Sequence, residues 1–356
     1  MPVDEPSWWY AAQPTWQAKL LRPAAALYGS LVVRRMAGTE TYHSKLPVIC
    51  IGNFTAGGTG KTPLAIRVAG MVRQLGRQPG FLTRGYGGRI KGHHLVTAED
   101  TATLVGDEPR LLARVAPTMV ARDRAEGARA IELGVGGTGV DVIIMDDGLQ
   151  NPLLAKDLRL VVIDGGRGLG NGRVIPAGPL RAPLAMQLDL ADALIVTRSG
   201  GVGSGEPAAL AGLKASFHGP VLVAGTRAVQ PVEWLREDPV VAYCGIGAPR
   251  RFFDLVAALG ARLVAEAAFA DHHAFKEADA RRLLALAQQH GARLVTTEKD
   301  WVRLVGFDGA RGDLRERSRA LAIETVLEAR DEERLLSLIN AALTQRAAGA
   351  AAPNRP

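Results

Sequence analysis

Short, nearly unbroken apolar runs alternate along the chain with longer stretches of helical spacing. The runs "PVICIGNF" (47–54), "PGFLTRG" (79–85), "VDVIIMDD" (140–147), "LRLVVID" (158–164) and "ADALIVTRS" (191–199) have the length of strands. Apolar residues at consecutive rather than alternate positions fit strands covered on both faces, as in a parallel sheet. Helical patterns at 61–76 and 108–115 lie between some of them. Such alternation predicts a doubly wound α/β domain. A second set follows: "PVVAYCGIG" (239–247), a helix near 249–259, "ARLVAEAAF" (261–269), a helix near 276–290, "ARLVTTEKD" (292–300) and "LAIETVL" (321–327). A last helix fits 330–346, and "AAGAAAPNRP" (347–356) reads as a frayed tail.

The 356 residues exceed one typical domain. The Gly/Pro-rich stretch near 200–210 reads as a linker. The expected division is an N-terminal segment 1–38, a first α/β domain 39–210, a second, smaller α/β domain 211–346 and a flexible tail 347–356.

The N-terminal segment breaks the α/β pattern. Trp8, Trp9, Tyr10 and Trp16 precede "AKLLRPAAALYGSLVVRRM", which is apolar but interrupted by Arg22 and Pro23 and flanked by Lys19, Arg34 and Arg35. Amphipathic rings beside cations suit a membrane interface. The alternative is a helix packed on the protein's own core. Asp4 and Glu5 stand where a signal peptide carries basic residues. No run of 18 apolar residues marks a transmembrane helix.

Composition adds little about fold: 47% of residues are hydrophobic and 22% charged, as in ordinary globular proteins. The net charge of +7 favours anionic partners without choosing among them. Only Cys50 and Cys244 are present, both in apolar runs, so neither a disulfide framework nor a zinc pattern is available. The basic residues form no aromatic-interleaved patch, which argues against nucleic acid.

Chemistry first shows in "GNFTAGGTGKTP" (52–63). A phosphate-binding loop reads G-x-x-x-x-G-K-[ST], joining a strand to a helix. Gly60, Lys61 and Thr62 fit, while Thr55 holds the first glycine position. The nucleotide-binding candidates are Thr55, Ala56, Gly57, Gly58, Thr59, Gly60, Lys61 and Thr62. Lys61 would reach the β- and γ-phosphates, and Thr62 would ligate Mg²⁺. Pro63 is tolerated in the first helical turn, whose N–H groups lack helical partners. "VGGTGVD" (135–141) repeats the GGTG without a lysine and reads as a plain turn. The loop resembles the deviant phosphate loops of partitioning ATPases, but Ala56 stands where those carry a signature lysine.

Such a loop needs a carboxylate near Mg²⁺ at the end of a neighbouring strand. Asp146 and Asp147 end "VDVIIMDD", and both can serve only if the chain turns there, because neighbours on a strand face opposite ways. Asp107, in "VGDEPRLLA", carries a helix N-cap signature and is also a candidate general base. "FADHHAF" holds Asp271, His272 and His273; adjacent histidines lack the spacing of a helical metal site, leaving an Asp–His dyad or a solvated turn. "TRGYGGR" places Arg84, Tyr86 and Arg89 on a glycine-rich loop after a strand, suited to phosphate or sugar or to a surface turn. "TTEKD" (296–300) ends a strand of the second set, where ligands of α/β domains gather.

Taken in order, "GNFTAGGTGKTP", "TRGYGGR", "GDEPRLLA", "DDGLQ", "GNGRVIPAGPLR", "YCGIGAPRRFF", "FADHHAF" and "TTEKDWVRL" closely resemble the tetraacyldisaccharide 4′-kinase (lipid A 4′-kinase) family, from about residue 7 to residue 305. The resemblance implies a P-loop domain, a second α/β domain and an N-terminal amphipathic helix that meets the bilayer. It implies ATP- and Mg²⁺-dependent phosphorylation of the 4′-hydroxyl of a tetraacyl glucosamine disaccharide 1-phosphate, at the cytoplasmic face of the inner membrane of Gram-negative bacteria, with no obligatory protein partner. It makes Lys61 and Thr62 the phosphate and Mg²⁺ residues, Asp146 and Asp147 the acidic pair, Asp107 the base and His272 its dyad partner, with Arg84 and Tyr86 lining the site. One position departs: "PLREP" of many relatives is "PLRAP" here, with Ala182, and Asp164 is the candidate stand-in. The competing reading is a membrane-associated regulatory ATPase, against which Ala56 counts.

Overall fold

The computed structural model describes residues 5–11, 13, 15–198 and 210–351. Its strands are β1 (Val48–Asn53), β2 (Pro79–Thr83), β3 (His93–Leu95), β4 (Thr118–Ala121), β5 (Val142–Asp146), β6 (Leu158–Asp164), β7 (Ala193–Thr197), β8 (Val221–Ala228), β9 (Pro239–Cys244), β10 (Arg262–Ala268), β11 (Arg293–Thr297), β12 (Ser318–Leu321) and β13 (Ile323–Leu327). They form a nine-stranded sheet of order β13-β8-β7-β6-β1-β5-β2-β4-β3 and a four-stranded sheet of order β10-β9-β11-β12.

The larger sheet is parallel at its centre, with antiparallel edges where β3 pairs with β4 and β13 with β8. Its middle strands are the continuous apolar runs. Ile49, Ile51, Ile144 and Leu160 face the helix Lys61–Gln74 through Leu64, Val68 and Val72. The alternate residues Val48, Cys50, Ile143 and Met145 pack with Ala128 and Ile131 of the helix Arg124–Glu132 on the other face. Both pleat faces of β1 and β5 are therefore buried, which is why their sequence shows no alternation. β1 lies between β5 and β6, where the chain passes from one half of the sheet to the other, and ligands of open α/β sheets gather outside the strand ends at such a point.

The expected stretch 211–346 is divided between the two sheets. β8 and β13 pair with each other in the larger sheet, and only residues between them, 239–321, build the smaller one. "LAIETVL", expected as one strand, breaks at Ala322: Leu321 ends β12 and Ile323 starts β13. The last helix, Ala329–Ala351, runs through the start of the expected tail, so 347–351 are helical. It packs Leu335, Ile339 and Leu343 into the core against β6, β8 and β13. The expected linker lies almost wholly outside the described residues.

The N-terminal helices Trp16–Leu20 and Arg22–Gly38 bury little besides Ala18, Ala25 and Gly29. Trp16, Leu20, Leu27, Tyr28, Leu31 and Val33 are exposed. Leu27, Tyr28 and Leu31 fall on one broad face, while Val33 lies across the helix, so apolar and polar positions are less segregated than expected. No helix among the described residues is long and apolar enough to cross a membrane.

Because the last helix completes the core on that face of the larger sheet, Ile339→Ala should destabilise the protein by about 2–4 kcal/mol. Denaturant unfolding measures this; unchanged stability would show that the helix is not part of that core.

Candidate active site

The phosphate loop leaves β1 at Asn53, whose Nδ2 donates to the carbonyl of Thr55 at 2.7 Å. Thr55 forms an isolated antiparallel bridge with Leu180. Around that bridge, Ala56 N–H donates to Pro179 O at 2.8 Å, Arg181 N–H to Phe54 O at 2.8 Å, and Arg181 Nε to Thr55 O at 3.0 Å. An extended residue needs no glycine, which accounts for the threonine at the position where the usual motif has one. The glycines are kept where they are required: Gly57 and Gly60 have φ of 90° and 89°, and Gly60 leads directly into the helix at Lys61. The backbone N–H groups of this helix start lie beside the loop, a setting that favours anions.

Thr62 Oγ1 donates to Asp146 Oδ2 at 3.3 Å. The other oxygen, Asp146 Oδ1, is buried with no hydrogen-bond partner. The strand ends there, and Asp147 turns back with φ of 56°. That turn lets both carboxylates serve the same end of the sheet, but their tasks differ. Asp147 Oδ1 accepts from Arg181 Nη1 at 2.6 Å and lies 3.8 Å from Lys61 Nζ. Arg124, buried under the loop, donates to the Asp147 carbonyl at 3.5 Å.

Proton affinities separate the pair. Burial pushes the Asp146 carboxyl up to about 7, reinforced by nearby Glu108 and opposed by Lys61. Burial acts the same way on Asp147, but Lys61 and Arg181 outweigh it and hold that carboxyl below the usual range. A buried carboxylate with an orphaned oxygen beside a threonine hydroxyl fits a divalent cation. Among the described residues, no group of three or more His, Cys, Asp or Glu side chains is placed to hold a metal. Mg²⁺ suits this sparse set, since it usually keeps waters and takes one or two carboxylates plus phosphate oxygens.

Asp107 comes from the opposite wall. Gly106, with φ of 99°, starts the helix Asp107–Leu112, and a β-carbon there would meet Tyr86 O at 2.7 Å. Asp107 is thus the first helical residue rather than the expected N-cap, and its buried carboxylate points at the smaller sheet. His272 Nδ1 lies 3.2 Å from Asp107 Oδ2. His272 also has positive φ, 56°, with its N–H held by Gly245 O at 3.1 Å. Its hydrogen bond to Asp107 raises its proton affinity against the opposing effect of burial. Burial disfavours charge on Asp107, yet His272, Arg303 and Lys299 hold it far below the carboxylate range.

The remaining sequence candidates sort clearly. Tyr86 is exposed on the cleft, its ring 5.3 Å from that of His272, and Arg84 is exposed on the same loop. His273 turns away: its Nε2 lies 2.9 Å from Asp279 Oδ2 and its ring stacks on Phe269. Asp164, the candidate stand-in for the carboxylate missing at buried Ala182, keeps its Oδ2 buried without a hydrogen-bond partner. It pairs with Arg251 and accepts from the N–H groups of Gly166 and Arg167. Arg181, Arg124, Lys299 and Arg303 are site residues that pattern reading passed over. Arg181, Lys299 and Arg303 stood in the motifs "GPLR" and "TTEKDWVRL", with no role attached.

A doubly wound sheet with a phosphate loop at its switch point, a buried acidic residue beside it and a carboxylate–imidazole pair facing it defines a P-loop nucleotide-binding enzyme. The family model described as tetraacyldisaccharide-1-P 4′-kinase (LpxK) matches residues 17–344, and the chain belongs to that family. It is 47% identical over 323 residues to the tetraacyldisaccharide 4′-kinase of Methylorubrum extorquens strain PA1, covering 90% of this chain and 96% of the relative. It is 48% identical over 303 residues to that of Gluconacetobacter diazotrophicus, covering 85% and 89%. The crystal structure of an "apo" form of LpxK from Aquifex aeolicus in complex with ATP has a TM-score of 0.70, covers 92% of this chain and 99% of its own, and is 24% identical. That likeness carries the fold.

An aspartate with raised proton affinity binds a proton in the folded state that the unfolded chain has already released. Stability therefore falls as pH rises from about 4 towards 7. Asp146→Asn removes this cost. In metal-free protein it should raise the melting temperature above pH 7, with the difference vanishing towards pH 4, while abolishing Mg²⁺-dependent turnover. Equal melting of both proteins at pH 8 would contradict the assignment of a buried, uncompensated carboxyl.

Proposed function

We infer that this protein transfers the γ-phosphate of ATP to the 4′-hydroxyl of a tetraacyl glucosamine disaccharide 1-phosphate, the lipid A 4′-kinase reaction. The observation that carries the site assignment is the 3.2 Å approach of His272, from the smaller sheet, to Asp107, from the larger one, opposite the phosphate loop. A switch ATPase would need no such pair for an acceptor, and Ala56 lacks the lysine that those loops carry.

Each side chain has a physical task. Lys61 and the N–H groups of the loop 55–62 take the β- and γ-phosphates, with Lys61 steered by Asp147, which Arg181 fixes. Thr62 and Asp146 would hold Mg²⁺, which supplies charge neutralisation for the phosphates when bound. Asp107 receives the proton of the acceptor hydroxyl, and His272 shares it. A strongly held carboxylate is a weak base at rest, but phosphoryl transfer asks for proton acceptance only late, as the acceptor oxygen bonds to phosphorus. Tyr86 and Arg84 line the mouth between the two walls.

The acceptor's acyl chains require access from a lipid surface. The N-terminal helices expose Trp16, Leu20, Leu27 and Leu31 beside Lys19, Arg34 and Arg35. Aromatic and aliphatic side chains among cations fit the interface of an anionic bilayer. A cavity of about 490 Å³ beside this helix is lined by Arg22, Arg34 and Arg173 with Gly29, Val174 and Pro183. Its mix of guanidinium and apolar wall suits a phosphorylated lipid. On this reading the protein works at the cytoplasmic face of the bacterial inner membrane, as a peripheral or monotopic enzyme, with no protein partner needed for catalysis. The smaller unit is taken as residues 239–321, inserted between two edge strands of the P-loop unit.

Transfer of labelled γ-phosphate to the lipid tests these roles. Lys61→Ala and Asp107→Ala should each lower turnover by at least about 100-fold. Full activity of Asp107→Ala would remove it as the base. Leu27→Asp with Leu31→Asp should release the protein from anionic vesicles in flotation, with ATP binding kept; undiminished flotation would refute the membrane role of this face.

A further inference from the structure

We propose that Arg303 is a positioning residue that sets the proton affinity of the Asp107–His272 pair. The proposal rests on the reading of Asp107 as base. Arg303 ends the helix Glu298–Arg303 of the smaller unit and its side chain is only 8% exposed. Nε donates to Asp107 Oδ2 at 2.9 Å, and Nη2 donates to the same oxygen. Nη2 also lies 3.3 Å from His272 Nδ1. Nη1 donates to Asp300 Oδ1 and to Gly245 O, both at 2.6 Å. One guanidinium therefore touches both members of the pair and anchors them to the loop from which His272 hangs.

The geometry divides the work between the donors on Asp107. Oδ1 accepts the N–H of Glu108 at 3.0 Å, and Oδ2 is shared by Arg303 and His272. A guanidinium does not give up its proton, whereas an imidazole does. Arg303 is then a fixed charge and His272 the adjustable one. When Asp107 takes a proton and loses its charge, Arg303 is not stranded in the interior, because Asp300 remains as its counter-ion. Asp300 is fully buried and held by Thr297 Oγ1 at 2.6 Å and Gly245 N–H at 3.1 Å. The other charged groups nearby are Lys299, paired with Glu108 at 2.7 Å, and Asp271, 3.9 Å from His272 Nε2. The Lys299–Glu108 pair is electrically balanced, so Arg303 is the largest charge from outside the dyad acting on Asp107, while on His272 it opposes Asp271.

The test is the pH dependence of Arg303→Met and Arg303→Lys beside the parent and Asp107→Asn. Two readouts are needed: the acid limb of kcat/KM for lipid phosphorylation, and the His272 imidazole titration followed by NMR. An opposite charge at this distance shifts a carboxylate by about 1–3 pH units. Arg303→Met should move the acid limb up by at least about one unit and raise the His272 midpoint, since a repelling cation is gone. Arg303→Lys, which keeps the charge but loses the fork, should move both by less. Melting temperature and ATP affinity establish that each variant is folded; should the Met variant fail to fold, the Lys variant decides. A folded variant with lower kcat/KM but unmoved limb and unmoved His272 midpoint would overturn the proposal. Full activity in Asp107→Asn would instead reject the base reading, and the His272 titration would still decide the role of Arg303.

Discussion

A carboxylate buried away from water is costly unless cations and hydrogen bonds meet it, and the carboxylate of Asp107 finds most of its partners on another unit of the protein. Asp107 belongs to the nine-stranded half, while His272 and Arg303 belong to the four-stranded one. Lys299 and Glu108 repeat the pattern one residue further on. Removing the smaller unit would strip buried Asp107 and half-buried Glu108 of the cations that face them. The apposition of the two walls and the presence of a candidate base opposite the phosphate loop are thus one physical fact. This explains why a unit inserted between β8 and β13 ends its strands towards the P-loop rather than away from it.

The phosphate side is built by a different device. Its loop is strapped to the segment 179–181 by backbone hydrogen bonds, and Arg181 then reaches over to Asp147. Arg181 thereby ties loop position to the charge that faces Lys61. Asp146, one residue earlier, has the opposite character: among the described residues no cation pairs with it, one oxygen lacks a partner, and its proton affinity is raised. Adjacent aspartates in sequence become one anchored anion and one uncompensated carboxyl, because the strand ends between them.

Much of the first wall was legible in the sequence. The central strands announce themselves as continuous apolar runs, and Gly60, Lys61 and Thr62 carry a spacing that chemistry rather than packing explains. Harder to read were the edges. β3 and β12 are three and four residues long, too short for a periodic signal, and β8 was hidden because it follows a Gly/Pro-rich stretch that looked like a boundary. "LAIETVL" read as one strand because nothing local marks a change of sheet at Ala322. Arg303 and Arg181 were visible only as members of motifs. An arginine's role depends on which carboxylate lies across a cleft, and Asp107 and Arg303 are 196 residues apart. The Asp107 N-cap signature was a local rule overridden by that distant partner.

All of this converges on the fate of one phosphate. The decisive measurement supplies ATP labelled at the γ-position, Mg²⁺ and vesicles carrying a tetraacyl disaccharide 1-phosphate, then locates the label in the lipid. One labelled phosphate on the 4′-oxygen, in proportion to ATP consumed, is the expected result. ATP consumed with the lipid left unlabelled would contradict it.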